Sequence, residues 1–388
     1  MPVINRIASF AGDMTEWRRW MHRHPELGFD LPKTSTFVAK RLRDMGVDEV
    51  HEGIAESGIV AVIKGATPGP TVALRADMDA LPIAEETGAA WASTHPGRMH
   101  ACGHDGHTTM LLGAARYLAE TRAFRGQVVL FFQPAEEDGG GGRVMVEEGV
   151  MERFEVHEVY ALHNAPGLPF GEFGTRPGPI MAAVDEFNFE ITGRGGHAAL
   201  PHHCADPIPP AMALAQGLDT IVSRNRPGTA PLIVSVTQIH AGIVNNVIPG
   251  RAKMSGTVRA FSEELRDLAE ARIRDLSAGI AAAYGVDIAL DYQRHYPPTV
   301  NDTVRAGFAA DVAREIVGAD MVTDDLSAEM GSEDFAYMLD ARPGAYLFIG
   351  QGTEAGLHHP LYDFNDDIAP IGASFFARLV ERALPLDG

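Results

Sequence analysis

The nine residues Met99–His107 read Met-His-Ala-Cys-Gly-His-Asp-Gly-His and gather one Cys, three His and one Asp. Thiolate and imidazole suit a transition metal, and a nearby carboxylate can orient a ligating imidazole. Cys102 and His104 are two apart. Gly103 between them can take a backbone angle that turns both side chains to one point. From Thr108 onward the chain becomes apolar with helical spacing, so the cluster lies in the loop that leads into a buried helix. A short polar cluster usually means only a turn. Whether this one is a site depends on partners supplied from elsewhere.

Such partners recur just past predicted strands. Asp77 and Asp79 follow Thr71–Ala76, and Glu136 and Glu137 follow Gln127–Gln133 through Pro134-Ala135. His163 follows Tyr160–Leu162, and His358 and His359 lie beyond Ala345–Ile349. In an open α/β sheet, ligands bind outside the carboxyl ends of the strands. Each segment alone has an ordinary reading: a solvated acidic patch, a core histidine, a surface turn. Together, five segments deliver metal-type side chains to one edge of one sheet. Two adjacent carboxylates at the tip of a buried strand demand a partner. They point in different directions, which suits one for metal and leaves the other as a base. Asp77, Asp79 and, inside the cluster, Asp105 are read as outer groups that orient ligands. Gly139–Gly142 carries neither phosphate-loop pattern, and His202-His203-Cys204 is read as a structural loop.

The elements that must position these residues alternate. Helices are predicted over 4–21, 34–45, Thr108–Glu120 and Gly142–Val150, with strands Ile59–Lys64, Thr71–Ala76, Gln127–Gln133 and Glu158–Leu162. The Gly/Pro run 65–70 is read as a hairpin or tight connection. The expected fold is α/β, a mostly parallel, doubly wound sheet. The texture changes near Met181. Val184–Ile191, a helix at about 205–224, Leu232–Ile239, Ala252–Ala260, Glu263–Tyr284 and Val286–Asp291 follow the order β-α-β-β-α-β, that of a ferredoxin-like unit. The expected domains are 1–183 and 297–388 for the catalytic part, with 184–296 inserted. Helices at 302–317, 332–340 and 366–384 and a strand Ala345–Ile349 complete the first domain.

Composition narrows the class. At 388 residues, two domains are the natural prior. Lys+Arg number 32 against Asp+Glu 52, a formal charge of -20, which argues against nucleic acid and anionic membranes as partners. Two cysteines supply no disulfide framework, and the N-terminus lacks the apolar core of a signal peptide. A cytoplasmic location is therefore expected.

Seven segments then carry a family resemblance, in order along nearly the whole chain. They are His22-Arg23-His24-Pro25-Glu26-Leu27-Gly28-Phe29, Arg75-Ala76-Asp77-Met78-Asp79-Ala80-Leu81-Pro82, Met99–His107, Gln133-Pro134-Ala135-Glu136-Glu137, Gly195-Gly196-His197-Ala198-Ala199, Asn245-Asn246-Val247-Ile248-Pro249 and Gly331-Ser332-Glu333-Asp334-Phe335. The sequence resembles the metal-dependent amidohydrolases of the hippurate hydrolase and N-acyl-amino-acid deacylase type, within the aminoacylase and carboxypeptidase G superfamily. The resemblance implies metal ligands Cys102, His104, Glu137, His163 and His358, with Glu136 as general base on a metal-bound water. It implies two divalent ions per subunit, zinc or manganese, with nickel or cobalt as alternatives. The inserted domain becomes a lid and dimerisation domain, and the assembly a homodimer. His197 would reach the active site of the other protomer as an oxyanion donor, while Asn246 and Arg259 would hold the substrate carboxylate. The substrate class is a small N-acyl amino acid, N-acetyl, N-benzoyl or similar. Narrower alternatives are a dipeptidase, a biosynthetic amino-acid deacetylase and an auxin-conjugate hydrolase. Two other classes compete. A thiol hydrolase using Cys102 would leave Glu137, His163 and His358 without a role. A non-catalytic binding protein would have lost a ligand or the base, and none is lost.

Overall fold

Val128, Val129, Leu130, Phe131 and Phe132 follow one another without a polar break, and all are fully buried. A strand apolar on both faces belongs inside a covered sheet. A computed structural model, which describes residues 3–352 and 355–386, places it there. The strand Arg125–Gln133 sits between Gly58–Lys64 and Thr67–Asp77 in an eight-stranded sheet. The order along the sheet is Glu49–Ile54, Gly58–Lys64, Arg125–Gln133, Thr67–Asp77, Glu158–Ala165, Gly344–Gly350, Phe173–Gly174 and Val322–Thr323. From Arg125–Gln133 to Gly344–Gly350 the neighbours run parallel, and Gly58–Lys64 and Glu49–Ile54 are antiparallel additions at one edge.

Parallel strands finish on one side, and register fixes how far each reaches. Asp77 lies opposite Gln133, and His163 opposite Phe348. Helices Ala11–Arg23, Pro32–Asp44, His104–Thr121 and Ala369–Ala383 pack their apolar residues with the sheet into one core.

The structure settles two local features. The run 65–70 is the tight connection and not the hairpin, because Arg125–Gln133 lies between the strands it joins and pairs with both. Its glycines let the chain pass close over that strand: a Cβ on Gly65 would stand 2.2 Å from the Phe124 carbonyl oxygen. The edge strand Glu49–Ile54 has no apolar alternation to announce it, since most of its side chains stay partly in water.

The chain divides into two units: Met1–Ile180, Val300–Ser327 and Asp334–Gly388 form the first, and Met181–Thr299 with Ala328–Glu333 the second. The expected boundary 297–388 assigns Ala328–Glu333 to the first domain. It joins the second because the Ala182 N–H donates to the carbonyls of Glu329 and Gly331. In the second unit the strand order is Leu232–Ala241, Arg251–Ala260, Ala183–Thr192, Asp287–Arg294, all antiparallel. Phe187, Phe189, Met254 and Val258 pack on Leu214, Leu218, Ala269 and Ile273 of helices Ile208–Thr220 and Glu263–Tyr284. Ser262 caps the second of these helices by accepting from the Leu265 N–H, and Gly285 ends it at φ 64. No helix among the described residues is long and apolar enough to cross a membrane.

One buried ion pair ties this second unit together. Arg266 Nε donates to Asp185 at 2.7 Å, Tyr292 donates to the other carboxylate oxygen at 2.7 Å, and both charged groups are buried. Removing one partner of such a pair leaves a buried charge and costs about 3–5 kcal/mol. Arg266→Ala is expected to lower the unfolding free energy from a urea titration of the full chain by that amount, whereas Arg274→Ala, exposed on the same helix, should leave it within about 0.5 kcal/mol.

Candidate metal centre

The loop 99–103 delivers its ligand types through backbone geometry. Gly103 has φ +97 and precedes the helix His104–Thr121. A Cβ there would stand 2.2 Å from Asn164 Oδ1 and 2.7 Å from the Tyr362 hydroxyl, so glycine is required twice over. Pro134-Ala135 turns the chain after its strand, with Ala135 at φ +54, and Gly141 N–H donates to the Ala135 carbonyl at 3.0 Å. His358 also sits at positive φ, +61, and its N–H donates to the Ala101 carbonyl at 2.7 Å.

These turns bring together the side chains that the sequence scatters. Cys102 Sγ is 3.5 Å from His163 Nε2, and His358 Nε2 is 3.3 Å from Glu137 Oε1. His104 Nε2 is 3.9 Å from both Glu136 Oε2 and Glu137 Oε1. Among the triads of described residues whose donor atoms lie close enough to share an ion are Cys102, His104 and His163; Cys102, Glu137 and His358; His104, Glu136 and Glu137; and Asp77, His104 and His107. Ligands on one tetrahedral ion at the usual bond lengths lie roughly 3.5 Å apart. Cys102 and His104 each belong to more than one of these triads.

Protonation follows from the same contacts. His163 Nδ1 lies 2.6 Å from the Asn164 carbonyl and must donate to it, which leaves the Nε2 lone pair facing Cys102. Burial, then the neighbouring His107, holds His163 well below the ordinary imidazole range, so it is a neutral ligand type. His104 is fully buried, and among the described residues neither ring nitrogen makes a well-formed hydrogen bond, the nearest carboxylate oxygen being Asp79 Oδ1 at 3.5 Å from Nδ1. Burial pulls it down, but Asp77, Asp79 and Glu137 outweigh burial and raise it to about 10. An imidazole set among carboxylates without a well-formed hydrogen bond is a place for a cation. Burial, then Glu137, Glu136 and Asp77, pushes the Cys102 thiol well above its usual range. Without a metal this sulfur is a neutral thiol, the opposite of an activated nucleophile. The donor set fits a divalent metal.

The outer carboxylates have distinct duties. Asp79 accepts from the backbone N–H of Glu136 at 2.9 Å and of Glu137 at 3.1 Å, one on each oxygen, and so aims both side chains. Asp77 accepts from Arg75 at 2.7 Å and meets His107 Nδ1 at 2.6 Å. Burial raises Asp77, but His104, Arg75 and His107 together hold it well below the usual carboxylate range. Asp105 does not touch a candidate ligand. Its carboxylate meets His22 Nδ1 at 2.7 Å because the first helical turn points it away from Cys102, toward the helix Ala11–Arg23.

His197, Asn246 and Arg259 belong to the second unit. His197 pairs with Val247 in a short two-stranded ribbon, and Asn246 accepts from the Ala198 N–H, so these two share one exposed corner. Arg259 stands eight residues along Arg251–Ala260, half-buried, and bonds to Thr257 and the Val258 carbonyl. At about 3.3 Å per residue that is about 26 Å from the start of the strand beside the ribbon.

Several groups had not been given a role from the sequence. His107 Nε2 lies 2.6 Å from Asn164 Oδ1, and the Asn164 amide donates to Gln351 and to the Tyr362 hydroxyl. Arg75 also donates to Gln133 and Asp334, and Asp334 accepts from the Gly142 N–H at 2.7 Å. The sequence signal for this network is that Arg75, Gln133 and Asp334 each lie inside a segment that carries the family resemblance.

Residues 73–382 match peptidase family M20/M25/M40. The chain is 38% identical over 387 residues to a protein named hippurate hydrolase from Campylobacter jejuni, covering 99% of this chain and all of that one. It is 41% identical over 360 residues to an N-acetyl-L-cysteine deacetylase from Bacillus subtilis, covering 92% of this chain and 85% of the relative. Among solved structures it resembles a dinuclear metal binding peptidase of the M20 family from Bacillus subtilis, with TM-score 0.86 and 34% identity, covering 97% of this chain and 99% of the other.

Asp79→Asn supplies a test of the aim of Glu136 and Glu137. The amide presents a donor to one of two backbone donors, so one contact becomes repulsive while the volume stays the same. Metal affinity, read by competition with a chromogenic chelator, is expected to fall about 10–100-fold; unchanged affinity would remove this role from Asp79.

Proposed function

We propose that this chain, which belongs to peptidase family M20/M25/M40 and is a metal-dependent amidohydrolase, cleaves the amide bond of small N-acyl amino acids to a carboxylic acid and a free amino acid. The observation that carries the reading is the pair of triads sharing Cys102 beside the buried Glu136. Cys102, His104, Glu137, His163 and His358 would hold two divalent ions, zinc as the Cys and His donors favour or manganese as the carboxylates suit. Bound there, the ions would lower the pKa of a water toward ~7 and polarise the acyl oxygen.

The protein's own part follows from its geometry. Glu136, fixed at its main chain by Asp79, takes the proton from the attacking water and passes it to the departing nitrogen. Glu137 is turned toward His358 instead and does not compete for that proton. His197 donates to the oxyanion, and Asn246 and Arg259 hold the substrate carboxylate. Arg259 suits this through its planar fork. The neutral Cys102 disfavours a thiol mechanism.

The second unit supports assembly as a homodimer. Ile239, Ile243, Val244 and Val247 are exposed around one corner, with Ile243 fully so, and an apolar patch of this kind marks an interaction surface. His197 and Arg259 also lie too far apart in one unit to grip one small substrate. Both can serve it if His197, together with Asn246 on the same corner, comes from the partner subunit. Two free cysteines fit a reducing compartment, the cytoplasm.

Glu136→Gln is expected to keep its metal, by elemental analysis, and to lose about 10²–10⁴ in kcat on N-acetyl, N-benzoyl and dipeptide substrates. Near-normal turnover would remove Glu136 as the base. The same panel separates a deacylase from a dipeptidase, a biosynthetic deacetylase or an auxin-conjugate hydrolase, and full activity after chelation would restore the thiol reading. Ile243→Lys is expected to shift the mass in solution from dimer to monomer. A monomeric wild type would end the role of His197 in trans.

A further inference from the structure

His22 begins the segment 22–29, one of those that carry the family resemblance, yet nothing in the reaction uses it. It is fully buried, and each ring nitrogen faces a carboxylate: Nδ1 meets Asp105 at 2.7 Å, and Nε2 lies 3.4 Å from Glu85. Asp105 directly follows the ligand type His104. Glu85 lies in an irregular stretch and is itself held there: it accepts from the Ser93 N–H at 2.7 Å and from the Thr87 hydroxyl. The next residue, Glu86, donates its N–H to the Pro360 carbonyl at 2.9 Å, two positions past His358. Farther along the same stretch, Trp91 Nε1 donates to Asp363. Arg18, buried one turn before His22, donates to Asp363 and Asp366 and stands 3.8 Å from Asp105.

The rest of the segment touches the other arms. The Glu26 carbonyl accepts from Ala80 N–H at 2.8 Å, next to Asp79. The Phe29 ring fills the space a Cβ on Gly139 would need, just beyond Glu137.

We propose that His22 and Glu85 are positioning residues: they form a brace, through Asp105 on one side and Glu86–Pro360 on the other, that sets the separation of the Cys102–His104 arm from the His358 arm. This rests on the metal-centre reading above. His358 is held at positive φ, a conformation that persists only when its surroundings over-determine it. The brace is one of those surroundings. Loosening it lets His358 relax away from Cys102 while His104 and His163 keep their places.

The test measures metal binding and kinetics on the full chain. His22→Leu and Glu85→Gln should each weaken chelator-competed zinc affinity about 10–100-fold and lower kcat, with KM within about twofold of wild type. His22→Asn, which can still donate to Asp105, should recover a large part of both. Glu85→Gln sits at the loop end of the brace and keeps the test open if His22→Leu fails to fold. Wild-type zinc affinity and kcat in Glu85→Gln would overturn the proposal. So would a loss that tracks the fall in melting temperature, moves KM with kcat and is not recovered in His22→Asn. Zinc affinity is measured without substrate, so failure of every N-acyl amino acid to react would count against the proposed reaction and leave the brace decided on its own terms.

Discussion

The constraint beneath this fold is negative charge buried at the end of a sheet. Asp77, Asp79, Asp105 and Glu136 are all buried, and a buried carboxylate must be paired or it costs several kcal/mol. The three aspartates show how such charge is met. Arg75 and His107 serve Asp77, the Glu136 and Glu137 amides serve Asp79, and His22 with Arg18 serves Asp105. What the protein does not match is the middle of the cluster. His104 has no well-formed hydrogen bond, and Cys102 stays a neutral thiol among carboxylates. A divalent cation answers both at once, since it accepts an imidazole lone pair and deprotonates a coordinated thiol. Metal binding and the stability of this edge are therefore one problem.

This partition explains why adjacent residues behave differently. Glu136 and Glu137 share one clamp at the main chain, Asp79, but their side chains leave it in different directions. His104 and Asp105 are consecutive as well. One turns to the cluster and the other to His22, because consecutive residues in a helix point about 100° apart. A two-residue motif can thus hold one ligand type and one anchor.

How much of this was legible before the structure depended on the range of the interaction. The apolar run Gln127–Gln133 and the heptad-like text after Thr108 report local burial, so the strand and helix could be read directly. The βαββαβ order of the second unit was legible for the same reason, since its strand Ala183–Thr192 alternates buried and wetter positions. The convergence on one sheet edge was legible because strand ends share an edge whatever their order. The order itself was not. Nothing in the run 65–70 says that Arg125–Gln133, some sixty residues later, will insert between the strands it joins. The duty of Asp105 was missed similarly. Its partner, His22, lies 83 residues away, and only packing brings it near.

The strained turns show how stability elsewhere is converted into function. Ala135 and His358 occupy a backbone region that costs of order 1–3 kcal/mol for a residue other than glycine. Glycine would remove that cost, but it would also widen the choice of conformations. Each turn is instead held by a hydrogen bond from a neighbouring segment, Gly141 to Ala135 and His358 to Ala101. Each sits within two residues of a side chain that must meet Cys102 or His104 to within a few tenths of an ångström. Two carboxylates, a thiol and an imidazole brought this close repel or desolvate one another, so a flexible loop would let them separate. The rigidity is supplied by the buried strands at one end and by the helices Ala11–Arg23 and His104–Thr121 at the other. The apolar core stabilises the fold far from the chemistry, and that surplus holds the donor atoms together at the sheet edge, where they would otherwise spring apart.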